Sequence, residues 1–114
     1  MRTIVVGSRH VSTYDDLLDA VEEAQFTPSS ITSSITRWGD KLAEKYAREH
    51  NLKIHRVKLR PILNAEYSRD FELIRNSDAM IILYSGMSHD TKHLFELAQE
   101  FHLTIFRWNV RLIS

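Results

Sequence analysis

The chain has 114 residues, enough for one domain with a real core and too few for two, and its 15 basic and 15 acidic residues balance to a formal charge of zero. That balance argues against a protein that coats nucleic acid through many cation–phosphate contacts, and leaves open only a local basic edge. Cysteine is absent, which excludes disulfides, thiolate metal sites and thiol nucleophiles. No apolar run approaches the ~20 residues that span a bilayer. The first residues enter a strand at once, leaving no space for a signal peptide, so the expected location is the cytoplasm.

Ile4-Val5-Val6 is an apolar run of the kind that forms a strand covered on both faces, and it stops at Gly7-Ser8-Arg9. Ser12 and Thr13 then offer hydroxyl caps, Asp15 and Asp16 an acidic first turn, and Leu17, Leu18, Val21 and Ala24 an apolar stripe. This spacing predicts a helix from about Ser12 to Gln25 with Asp19, Glu22 and Glu23 outside. A short strand is predicted over Ile31 to Ser34, then a loop, Thr36-Arg37-Trp38-Gly39-Asp40. A second helix follows over Lys41 to Glu49, with Leu42, Ala43, Tyr46 and Ala47 buried and Asp40 in its first turn or at its cap.

Lys53 to Lys58 alternates apolar with basic residues, which predicts a strand with one wet face near a sheet edge. The spacing of Tyr67, Phe71 and Ile74 predicts a third helix over Ala65 to Asn76, with Arg69, Asp70 and Glu72 toward solvent or a ligand. Ala79 to Tyr84 is a continuous apolar run and is expected at the sheet centre. Ser88 or Asp90 caps a fourth helix whose Leu94, Phe95, Leu97, Ala98 and Phe101 face inward, and Thr104 to Trp108 is the last strand.

Five strands alternating with four helices predict an α/β protein, a Rossmann-like three-layer α/β/α sandwich around one parallel sheet, as a single domain over 1–114. Ligands in such sheets bind outside the carboxyl ends of the strands. The turns predicted there, Gly7 to Arg9, Ser34 to Asp40 and Ser85 to Thr91, each carry hydroxyls and lead into a helix N-terminus. Three dipole ends converging on one region favour a phosphate or another anion, while for any single turn helix capping alone accounts for the Ser and Thr residues.

The ordered motifs in these turns carry a resemblance. Gly7-Ser8-Arg9 resembles the Gly-Ser-Arg turn of the SLOG superfamily, in particular its YspA-type branch, related to the LOG phosphoribohydrolases and DprA. Ser33 to Ala43 aligns without gaps on that branch's S-G-G-A-R-G-x-D-x-L-A motif, Arg69 to Leu73 on its R-N-x-x-M helix start, and Ser85 to Ala98 on its D-G-x-S-x-G-T-x-H-x-x-E-L-A segment. The resemblance implies nucleotide or nucleotide-derivative binding, with Arg9 and Arg37 on phosphate, Ser8, Ser34, Ser88 and Thr91 donating hydrogen bonds, and Gly7, Thr36, Trp38, Asp40, Arg69 and Gly86 completing the site. The departures are Ser34 and Ile35 where the family has two glycines, Trp38 at the next glycine, and Asp90 at the glycine of the Gly-Thr pair. Side chains at these positions obstruct close approach of the backbone to phosphate, and Asp90 adds a repelling charge.

Two other functions stay open. Related enzymes cleave N-glycosidic bonds with carboxylates, and Glu96 stands at the branch's E-L-A glutamate as a candidate catalytic residue, with Asp40 as a second carboxylate. An exposed helical residue is the plain alternative for Glu96. A degenerate domain from a phage or another mobile element that docks on a host or defence protein, in the host cytoplasm, is the other function. Trp38 either stacks on a base or plugs a lost pocket. His89, His93 and Glu96 share a helical face, but no H-E-x-x-H pattern accompanies them, and neither a metal nor a cofactor is assigned. Phe71, Phe95, Phe101 and Trp108 supply more large apolar surface than four short helices need, which predicts a homodimer.

Overall fold

The computed structural model describes residues 1–7, 12–35, 37–57, 65–84 and 89–110, with backbone alone for 65–68 and 89–90. The elements alternate as β1 (Arg2–Gly7), α1 (Tyr14–Glu23), β2 (Ser30–Ser33), α2 (Trp38–Glu49), β3 (Lys53–Arg56), α3 (Ala65–Arg75), β4 (Ala79–Tyr84), α4 (His89–Glu100) and β5 (Thr104–Asn109). All neighbouring strands are parallel, in the order β3-β2-β1-β4-β5. The Rossmann-like α/β architecture is as expected from the sequence. The central strand is β1, with the wholly apolar β4 beside it, and the half-wet β3 lies at an edge.

Alternate residues of the inner strands feed two cores. Val5, Ile31, Ile81 and Leu83 pack with Leu17 and Ala20 of α1 and Leu42, Ala43, Tyr46 and Ala47 of α2. Ile4, Val6, Met80 and Ile82 pack on the other face with Leu73 and Ile74 of α3 and Leu94, Leu97 and Ala98 of α4. Chain direction sets this division. The crossovers from β1 to β3 step one way along the sheet and those from β3 to β5 step back, so right-handed connections put the two helix pairs on opposite faces. The strand order reverses between β1 and β4.

Helix ends are set by local chemistry. Thr13 Oγ1 accepts from the Asp16 N–H, and the Thr13 N–H donates to Asp16 Oδ2, which starts α1 at Tyr14, two residues after the expected start. α2 and α4 end with Asn51 and His102 at φ of 56° and 58°. There the Leu52 N–H donates to the Ala47 carbonyl at 2.8 Å and the Leu103 N–H to the Ala98 carbonyl at 3.0 Å. This early turn at the end of α4 leaves Phe101 exposed against the edge of Phe71, not inward as predicted. At the amino edge of the sheet, Arg2 donates twice from its side chain and once from its backbone to Asp78, fixing β1 to the start of β4. Those bonds hold the Asp78 carboxyl down to about 2.

Candidate functional site

At the carboxyl edge the chain leaves β2 through Ser34 and Ile35. Ile35 is 52% exposed and has φ of 73°, a conformation that is sterically costly for a β-branched residue. Its N–H donates to Ser33 Oγ at 2.9 Å. Asp40, buried at the third position of α2, accepts from the Arg37 N–H at 3.2 Å and from the Ser34 hydroxyl, so its carboxylate draws the turn back onto the helix start. Burial raises the Asp40 pKa against the opposing pull of the Ser34 and Arg37 bonds. Ser34, expected to donate to a ligand, donates to Asp40.

α2 begins at Trp38, three residues before the expected start, because this turn is already helical in its bonding: the Lys41 N–H donates to the Arg37 carbonyl. Gly39 is the reason it fits. A Cβ there would lie 2.4 Å from the Val5 carbonyl oxygen and 3.0 Å from the Gly7 N, so the first turn of α2 rests directly on the end of β1. A Cβ on Gly7 would meet Ser12 Oγ at 2.7 Å, which draws the start of α1 to the same place. The Trp38 indole packs against the α1–α2 core and donates Nε1–H to the Ser12 carbonyl at 3.0 Å. It is an anchor between the two helix starts in this arrangement.

Arg37 then crosses between layers. Its Nη2 donates to Asp70 Oδ1 at 2.7 Å, and Asp70 belongs to α3 on the opposite face of the sheet. A bond between helices on opposite faces has to pass over the carboxyl edge. Asp70 Oδ2 accepts from His93 Nδ1 of α4 at 2.9 Å, and Arg69 Nε lies 3.6 Å from Oδ1. Side-chain exposure is 4% for Asp70, 18% for Arg37 and 37% for His93. Of the two expectations for Asp70, solvent or a ligand, the first is corrected: it lies on the same helical face as the buried Leu73 and Ile74, and its carboxylate accepts from Arg37 and His93 with the charge of Arg69 close by.

Of the residues singled out in the sequence, Gly7, Ser34, Arg37, Trp38, Asp40 and Arg69 come together around the ends of β1 and β2. Thr91 is half-buried in the first turn of α4. Glu96 is exposed on α4, and no hydrogen bond joins it to the buried Asp40. Ser8, Arg9, Thr36, Gly86 and Ser88 lie outside the described residues, as do the side chains of His89 and Asp90. Among the described residues no group of His, Asp and Glu is arranged to hold a metal ion. No helix among the described residues is long and apolar enough to cross a membrane.

Sequence reading missed the Asp70–His93 bond and a second carboxylate, Glu44 of α2. Glu44 Oε2 accepts from Ser33 Oγ at 2.7 Å and Oε1 from Arg56 Nη2 at 2.8 Å. Burial alone would raise its pKa, but the Arg56 and Ser33 hydrogen bonds and the charges of Arg56 and Arg48 together hold it below the ordinary glutamate value. No family model matches the chain, and no curated protein or solved structure matches it.

Proposed function

We propose that the protein binds a nucleotide or nucleotide derivative at the carboxyl ends of its parallel strands, as the SLOG resemblance suggests. One observation carries the reading: two guanidinium groups, Arg37 and Arg69, converge on Asp70 beside a helix start seated on β1, next to the reversal of strand order. In open parallel sheets that reversal opens a crevice between outgoing loops, and a helix N-terminus with a guanidinium at its rim favours a phosphate there. Arg37 is held in place before a ligand arrives, so little ordering entropy opposes its use.

The test is isothermal titration with nucleoside mono-, di- and triphosphates, together with mass spectrometry of the denatured protein for nucleotide carried through purification. Binding by one class, weakened about tenfold or more in Arg37→Met, is expected, since a charge-assisted bond contributes about 1.5–3 kcal/mol. No heat with any nucleotide and none carried through would sink the reading.

A second reading, a docking protein for a host or defence protein, has one observation in its favour. Ile35 holds an exposed apolar side chain on a strained backbone at this same edge. Loss of partner binding in Ile35→Asp, with nucleotide binding absent from the wild type, is what this second reading expects.

A further inference from the structure

We propose that the outer surface of the α1–α2 layer docks a second copy of this chain, as a weak, salt-sensitive dimer in which the acidic α1 of each protomer lies along the basic α2 of its partner. This is independent of the nucleotide reading. α1 carries Asp15, Asp16, Asp19, Glu22 and Glu23 and no basic residue. Asp15, Asp19 and Glu22, spaced by four and three, are exposed on the side of the helix opposite the buried Leu17 and Ala20. α2 repeats that geometry with the other sign: Lys41, Lys45 and Arg48, at the same spacing, are exposed opposite the buried Ala43 and Ala47. Among the described residues no ion pair engages Asp15, Asp19, Glu22 or Lys41. Arg48 lies 3.8 Å from Glu44 with 63% of its side chain exposed, and Lys45 Nζ is 4.3 Å from the Tyr14 ring centroid.

Topology makes a second copy the matching partner. α1 and α2 are successive crossovers between parallel strands, so they run in the same direction, and they touch side by side on one face of the sheet. When two such layers meet face to face, a two-fold axis along the helices sets α1 over the partner's α2 on both sides, acid on base. A two-fold across the helices sets acid on acid and base on base, which like charge opposes. The surface is therefore self-complementary in one symmetric arrangement and repulsive in the other. In the first, Asp15, Asp19 and Glu22 face the partner's Lys41, Lys45 and Arg48 in chain order. The two helices have 10 and 12 residues, about 15 and 18 Å in length, so the contact belongs to the small, transient class held by screened ion pairs. A formal charge of zero adds no overall repulsion between copies. This layer lies across the sheet from α3 and α4, whose Phe71 and Phe95 entered the sequence-based expectation of a dimer.

The experiment is sedimentation equilibrium of the full chain from about 10 μM to about 1 mM, a range that brackets weak association. In about 50 mM salt the mass should rise toward two chains, and the Kd should increase at least about tenfold in about 500 mM salt. Reversing α1 (Asp15→Lys, Asp19→Lys, Glu22→Lys) or α2 (Lys41→Glu, Lys45→Glu, Arg48→Glu) should abolish self-association, and mixing the two variants should restore it. Those variants also attract through opposite net charge, so the register is read separately. The chain has no cysteine, and a chain carrying Asp19→Cys, mixed with one carrying Lys45→Cys, should form the mixed disulfide faster than either forms one with its own kind. The mass of one chain at every concentration in low salt overturns the proposal. So does a dimer that ignores salt or survives both reversals, and dissociation by Phe101→Asp would then place the contact on the α3–α4 side. Faster pairing of Asp19→Cys chains with one another overturns the acid-on-base arrangement. The salt response and the cysteine pairing decide the matter whether or not the triple variants fold.

Discussion

Two buried carboxylates, both bonded to arginine, sit on or against α2 and differ in what they connect. Glu44 joins its own helix to β2 and β3 through Ser33 and Arg56, elements that follow one another in the chain and share one side of the sheet. Asp70 joins the start of α2 to α3 and α4 across the carboxyl edge, between layers that share no core. Their partners differ too. Arg56 is 52% exposed and can turn to water, while Arg37 is 18% exposed and has much less freedom to do so. The first arrangement staples neighbours, and the second assembles side chains that the fold alone would keep apart, which is how a site is built.

The sharpest way to break the comparison is to remove each carboxylate. Asp70→Ala leaves largely buried guanidinium groups without their counter-charge, and a loss of about 3–5 kcal/mol in urea unfolding is expected. Next in size is Gly39→Ala, which forces the first turn of α2 off the Val5 carbonyl. It should cost about 1–3 kcal/mol and weaken the proposed nucleotide binding, with the Glu44 bonds intact.

Glu44→Gln keeps the shape and should cost only about 1 kcal/mol near neutral pH. Its pH dependence has a definite sign. A carboxyl held below its ordinary 4.5 in the folded chain stabilises it above that pH and ceases to do so as pH falls through the lower folded value. The difference between wild type and Glu44→Gln should therefore close in acid, as read by unfolding curves across that range.

The smallest effect has the opposite sign. Ile35→Asn should stabilise the protein by up to about 1 kcal/mol, because asparagine accepts a positive φ that isoleucine does not. If the proposed nucleotide site needs the Ile35 side chain, the same variant binds more weakly despite folding better, the expected exchange for strain kept at a working position.

Apolar periodicity was enough to read the fold. Ala79–Tyr84 has the bounds that its composition predicts, and the alternation of strands with helices required parallel pairing and two helix layers. Helix starts were less legible, since the start at Trp38 depends on Gly39 meeting a backbone oxygen 34 positions earlier in the chain, at Val5. The site was half legible. The Ser33–Asp40 turn announces itself by its residues, whereas Asp70 was expected toward solvent or a ligand and is buried. A signal was present in its spacing of three and four from Leu73 and Ile74, which puts it on the buried stripe. Nothing local could have paired Arg37 with Asp70 or Asp70 with His93, which stand 33 and 23 residues apart and meet only through the sheet's topology.

The pairing of β1 with β4 also bears on how the chain is made. Thr3 pairs with Ala79, so the central strand waits for most of the polypeptide to emerge from the ribosome before that flank is filled. Until then β1, α1, β2, α2 and β3 can gather as a half-sheet whose open side is the apolar ribbon Ile4 to Val6, a template for pairing with another nascent copy. Slowed translation ahead of residue 79 should therefore lower the soluble yield more than the same pause placed after residue 84.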